Sequence, residues 1–183
     1  INASGEIVGT PPPNASQNTN VIGGTDGVYE ITVIATDPDG LTGETTVTYT
    51  ILNPAPDAVN DALLATENGP DVTGNILNAN PPTSDSDPHG DTISVTEING
   101  NAALLGQLVT GSDGGQFRVF GSGDFIFEQD GDFEDVSVGE TRDTEITYTI
   151  SDGEGGTDTA TVTVTVQGTN DDPVVVSPTP NQA

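Results

Sequence analysis

Acidic side chains gather in four short stretches: DPDG at 37–40, NPAPDAVND with TENG across 53–69, DSDPHGD at 85–91, and SDGEGG with NDDP across 151–173. Oxygen-rich loops of this kind suit a hard divalent cation. Calcium takes about six to eight oxygen ligands from carboxylates, carbonyls and water, so several donors must converge on it. Asp85, Asp87 and Asp91, with Pro88 and Gly90 to fold the loop between them, can supply such oxygens. No run satisfies the EF-hand spacing, so a site has to be assembled from separate loops. One Asp-Gly pair is explained by turn preference alone. Four acidic loops in a chain with almost no cations point instead to bound Ca2+.

The cation shortage is severe. Among 183 residues, 29 are acidic and two are basic, Arg118 and Arg142; the net charge is −27 and lysine is absent. Such a chain repels phosphate, which makes nucleic acid and anionic membrane surfaces poor partners. It also repels itself, and divalent ions are the remaining source of positive charge. With no cysteine, disulfides, thiolate metal sites and thiol catalysis are excluded; calcium is then a reasonable staple for an extracellular protein. No apolar run is long enough to span a bilayer. The chain opens on Ile1 rather than methionine and is expected to be a fragment of something longer.

Catalysis finds little footing. His89 is the single histidine and sits in an acidic turn, so a solvated loop residue is expected rather than a zinc ligand. No GxSxG is present, and no Trp/Tyr platform flanks a carboxylate pair of the glycosidase kind. The expectation is a non-enzyme.

The elements that must position these loops are strands. Thr157, Thr159, Thr161, Thr163 and Thr165 alternate with Ala160, Val162, Val164 and Val166, the two-residue period of a half-buried antiparallel strand. Ile146, Tyr148 and Ile150 share the phase of a partner strand, and SDGEGG supplies the hairpin turn. The same hairpin is written earlier. Under a shift of 115 residues, ten of the twenty-one positions 30–50 are identical, including Asp37/Asp152, Gly40/Gly155 and Val47/Val162. A period this long indicates whole domains in tandem. Residues 1–55, with the lead-in GTPPPNASQNTN, read as the closing part of one module. Residues 56–172 read as a complete module, and 173–183 as a linker or the start of the next. Strands are expected near 58–66, 71–77, 92–98, 103–110, 116–120, 124–128, 144–151 and 157–167. Many short strands with Gly/Asp turns give an all-β, antiparallel sandwich. All five phenylalanines lie between 117 and 133, and alternate aromatics across a hairpin are expected to form its core.

NPAPDAVNDALLATENGPDVTGNIL, SDSDPHGDTISVTEING and TYTISDGEGGTDTATVTVTVQGTNDDP closely resemble the tandem bacterial cadherin-like and VCBS-type repeats. These occur in giant calcium-dependent surface adhesins of the RTX type, often exported by type I secretion. The resemblance covers about 53–175, and 28–56 looks like the end of a related module. It implies an Ig/cadherin-like β-sandwich with calcium at loops and inter-module joints. By position, Glu67 matches the acid of the family's first-strand Glu-Asp pair, with Asn68 in place of the aspartate. Asp87 and Asp91 match the DPDGD loop, where His89 replaces the middle aspartate. Asp152 matches the hairpin aspartate, and Asn170, Asp171 and Asp172 match the joint before the next module. Asp37, Asp39, Asp57, Asn60 and Asp61 are the equivalents at the preceding hairpin and joint. The Asn68 and His89 departures would weaken the local site or remove one ion.

The expected function is a calcium-stiffened spacer of a large adhesin on the bacterial cell surface, supporting adhesion or biofilm formation. Its partners would be neighbouring modules, with cell-surface glycan or protein held by other domains and no membrane insertion. The alternatives are a glycan- or protein-binding module and an accessory sandwich of a secreted hydrolase.

Overall fold

The structure is a computed structural model and describes residues 28–51, 53–78 and 84–170. The lead-in at 9–20, Asp171, Asp172 and the 173–183 segment lie outside the described residues. The described chain is nearly all β, and it divides into two compact units.

The first unit draws on residues up to Asp57, on Ser86–Ile93 and on Ser151–Asp158. Its regular part is an antiparallel hairpin of β1 (Val28–Thr36) and β2 (Thr42–Thr50), with Ile31 opposite Val47 and Val33 opposite Thr45. The turn Asp37–Gly40 closes it, with Gly40 at φ +86°, where a side chain would be strained. Among the described residues the two strands form a sheet of their own.

The second unit is a sandwich of two four-stranded sheets. One runs β3 (Asp61–Thr66), β10 (Thr157–Gln167), β9 (Thr141–Ser151) and β5 (Ser94–Ile98); the other runs β4 (Val72–Asn75), β8 (Asp124–Glu128), β7 (Gln116–Val119) and β6 (Val109–Thr110). The alternation read in the sequence decides which face is inside. Ile146, Tyr148, Ile150, Val162, Val164 and Val166 are buried, with the threonines of β10 turned away from them. Thr144 continues the inward row of β9 although it is polar; its hydroxyl donates to Gly114 O at 2.7 Å, which removes the cost of burying it.

The phenylalanines divide as burial requires. Phe117, Phe125, Phe127 and Phe133 are at most 2% exposed, and only Phe120 points outward, at 40%. The rings of Phe117 and Phe127 stand 4.7 Å apart, and that of Phe133 lies 6.2 Å from Phe127. The turn carrying Phe133 is held by Arg142, which donates to Asp135 at 2.6 Å and lies 5.8 Å above the Phe133 ring. That bond holds the Asp135 carboxyl below its ordinary value and raises the guanidinium.

Two expectations are corrected. The strand expected at 103–110 is a 3-10 turn at Ala102–Leu104 followed by only the two residues of β6. Asn101 Oδ1 caps that turn by accepting from Ala103 N, and Gly106 at φ +73° redirects the chain. The sandwich is also not wholly antiparallel: β3 lies parallel to β10, from Asp61 beside Val162 to Thr66 beside Gln167.

Gly168 terminates β10 where no side chain fits. A Cβ there would stand 2.2 Å from Val136 O and 2.3 Å from Ser137 O, both backbone atoms. Gly168→Ala is expected to destabilise the unit by about 1–3 kcal/mol, read as a shift in urea midpoint at unchanged slope.

Candidate metal-binding loops

Three of the predicted aspartates share one local device. Asp37 Oδ1 accepts from Asp39 N at 3.0 Å and Leu41 N at 2.8 Å. Asp87 Oδ1 accepts from His89 N at 2.7 Å and Asp91 N at 3.1 Å. Asp152 Oδ1 accepts from Glu154 N at 2.8 Å and Gly156 N at 3.0 Å. In each loop the glycine three residues on, Gly40, Gly90 or Gly155, is left-handed. Turn chemistry therefore accounts for one oxygen of each carboxylate. The second oxygen distinguishes them: Asp152 Oδ2 accepts from Asn53 Nδ2 at 2.8 Å, whereas Asp87 Oδ2 is buried with no hydrogen-bond partner.

In the first unit, segment 53–57 links these loops. Asn53 holds the tip at Asp152, and Ala55 Cα would lie 2.8 Å from a Cβ on Gly156. Asp57 forms a backbone bridge with Ser86, at 2.8 and 3.1 Å. Asp39 and His89 are exposed on their turns, and Asp91 closes the second loop half-buried.

In the second unit, the structure separates residues that the sequence placed at one joint. Asn60 Oδ1 accepts from Thr161 N at 2.9 Å and ties the start of β3 to β10. Asp61 turns inward and is 4% exposed. There it meets Asp85, assigned by sequence to a different loop, around the hydroxyl of Tyr148. That oxygen lies 3.0 Å from Asp61 Oδ2, 3.0 and 3.3 Å from the two oxygens of Asp85, and 3.0 Å from Val59 O. Asp85 Oδ1 also accepts from Val59 N at 2.7 Å. A phenol donates a single proton, so the cluster holds more acceptors than it can satisfy. Burial, reinforced by the neighbouring Asp85 charge and opposed by the Tyr148 hydrogen bond, pushes the Asp61 carboxyl up to about 6. Burial and both carboxylates push the Tyr148 phenol well above its ordinary value. The sequence reading treated Tyr148 as core alone; the missed signal is that a buried tyrosine hydroxyl requires a partner.

Glu67 is the most enclosed of the predicted acids among the described residues, at 2% exposure just past β3. Its Oε2 accepts from Thr169 N at 2.7 Å, and its own N–H donates to Gln167 O at 2.8 Å. The parallel β3–β10 pairing thus brings Glu67 to the exit segment that carries Asn170. Its Oε1 is buried and accepts no hydrogen bond. A buried carboxylate oxygen without a donor is costly unless a cation balances it. Beside this joint, unnoticed in the sequence, lies an acidic hollow of about 500 Å³ lined by Asn68, Asp71, Glu128, Asp130 and Glu134, among others.

Among the described residues, no three acidic or histidine side chains gather as a metal-holding group. An ion at Glu67 or Asp87 would therefore complete its shell with carbonyl, amide or water oxygens, which calcium accepts.

No curated protein matches the chain. Three solved structures are similar at a TM-score of 0.33 each. They are a nucleoside hydrolase-related hypothetical protein from Saccharophagus degradans associated with carbohydrate metabolism (18% identity over 64% of this chain and 26% of that one), protocadherin gamma B2 extracellular cadherin domains 3–6 (20%, 78% and 32%), and mouse clustered PcdhgC3 EC1-3 (13%, 79% and 44%). The chain thus spans less than half the length of each, and nothing further rests on them. The family model described as the bacterial cadherin-like domain matches residues 53–168, well over half of the sequence. The chain therefore belongs to the bacterial cadherin-like domain family.

Proposed function

We propose that this chain is a calcium-stabilised extracellular repeat, serving as a spacer in a large bacterial surface adhesin of the RTX/VCBS kind and supporting adhesion or biofilm formation. The reading assigns it no catalysis, and its partners are the neighbouring modules. The observation that carries it is the orphaned Oε1 of Glu67, buried where the chain leaves the sandwich. Glu67 with Asn170, Asp171 and Asp172 would hold one ion at that exit. Asp87 with Asp91 would serve the loop at 85–91, Asp87 offering its buried Oδ2. The ion supplies positive charge that two arginines cannot provide against 29 acids. Glu67 also fixes the exit segment through Thr169, so a charge-balanced Glu67 would reduce the freedom of whatever follows.

Thermal melts in calcium and in chelator, with and without Glu67→Gln, test this. Calcium at about a hundredfold over Kd is expected to add about 2.7 kcal/mol to the wild type, a rise of several degrees. In chelator, Glu67→Gln is expected to melt at or above the wild type, because it removes a buried uncompensated charge; in calcium the order reverses. A wild type indifferent to calcium, in melting temperature and in small-angle scattering, would sink the proposal.

A further inference from the structure

The outer face of the second sheet carries an exposed apolar patch around an arginine. Phe117 and Val119 of β7 point into the core, so the alternate residues Arg118 and Phe120 point out. Arg118 lies opposite Ile126 of β8. Leu108, next to the buried Val109, falls on the same outer side and is 48% exposed, beside Phe120 at 40%. Arg142 is paired with Asp135, whereas Arg118 has no carboxylate within ion-pair distance among the described residues. In a chain with 29 acids, an arginine left without an acid beside exposed Phe and Leu is a surface complementary to a carboxylate flanked by an apolar side chain.

The chain itself displays that complement. At the β1–β2 tip, Asp39 is exposed and Leu41 is 73% exposed, the most open of the large apolar residues described. The Asp37 carboxylate holds the N–H groups of both, so the tip is ordered before it meets anything, which lowers the entropic cost of docking. We propose that the face formed by Leu108, Arg118 and Phe120 docks a second copy of this chain through its 37–41 tip, Asp39 against the guanidinium and Leu41 against the Phe120–Leu108 patch. Guanidinium–carboxylate pairing is the strong form of hydrogen bond and supplies orientation. At physiological ionic strength, screening over about 8 Å removes most of the repulsion between distant acids. Tip and face are two different patches, so each contact is heterologous rather than self-complementary.

Sedimentation equilibrium of the full chain in calcium, from micromolar to millimolar, is the test. Concentration-dependent association is expected. Arg118→Asp or Asp39→Arg should each weaken it at least about tenfold. Combining the two restores the pair with its charges exchanged and should recover most of the affinity. Leu41→Ser, which leaves the Arg118 face intact, should weaken association as well. Asp39 and Leu41 are exposed and Arg118 is half-buried on the outer side of its strand, and unchanged melting temperatures would show that each variant folds. A wild type that stays monomeric throughout, association indifferent to Arg118→Asp, or a double variant that recovers nothing would each overturn the proposal. So would a monomer whose Arg118 face captures an acidic polysaccharide instead.

Discussion

Phe127→Ala is expected to destabilise the second unit by about 3–5 kcal/mol, the largest effect of any single truncation here. Phe127 is fully buried between the rings of Phe117 and Phe133. Its ring also lies against a glycine: a Cβ at Gly115, itself left-handed at φ +70°, would come within 2.4 Å of Phe127 Cε2. Gly115 has no side chain to move into the vacated space, so the cavity would collapse poorly. A domain of this size is stable by only about 5–15 kcal/mol, and the chain has five phenylalanines and no tryptophan to share the core. Chemical denaturation should show the midpoint falling by a large fraction. A loss under about 1 kcal/mol would mean that the aromatic cluster is not the core's anchor.

Tyr148→Phe is expected to cost about 2–4 kcal/mol at pH 7, because it removes the donor that Asp61 and Asp85 both face. The cost should depend on pH, with a definite sign. The folded Asp61 carboxyl is raised from an ordinary 3.8 to about 6, so the folded state binds more protons than the unfolded state between those values. Stability from this group therefore falls as pH rises from about 4 to 6, and the full penalty is present above 6. The shift corresponds to about 3 kcal/mol. At pH 5 Asp61 is largely protonated and no longer needs the phenol's proton, so the cost of Tyr148→Phe should shrink. Unfolding at both pH values checks this, with Asp61→Asn as the control that flattens the profile. An equal cost at pH 7 and pH 5 would overturn the shared-proton account.

The parts of the fold legible in the sequence are those where alternation is chemically unambiguous. The valines of 160–166 and the Ile-Tyr-Ile of 146–150 marked their strands and faces correctly. β9 starts at Thr141, earlier than expected, because Thr141, Arg142 and Asp143 extend the ladder without apolar residues to announce it. The 103–110 segment misled for the opposite reason: its leucines read as a strand, while the Asn101 cap and Gly106 broke the ladder. For the site, composition showed which loops are acidic but not where each oxygen points. Asp57 and Asp61 are four residues apart, yet one bridges Ser86 through its backbone and the other is buried against Tyr148. Glu67 meets Thr169 only because strands far apart in sequence lie side by side. Pairing at that distance has no local signature.

That parallel pairing has a consequence for a chain pulled from its two ends. Asp61 at the start of β3 sits beside Val162, and Thr66 at its end sits beside Gln167, so the polypeptide enters the sandwich at one pole and leaves at the other. Tension would act along both strands in opposite directions and set their six paired positions in shear, breaking them together rather than unzipping them one by one. A hairpin of neighbouring antiparallel strands pulled at its open end peels apart far more readily. A domain with this pairing, pulled at its two ends, is expected to hold until the whole ladder ruptures at once.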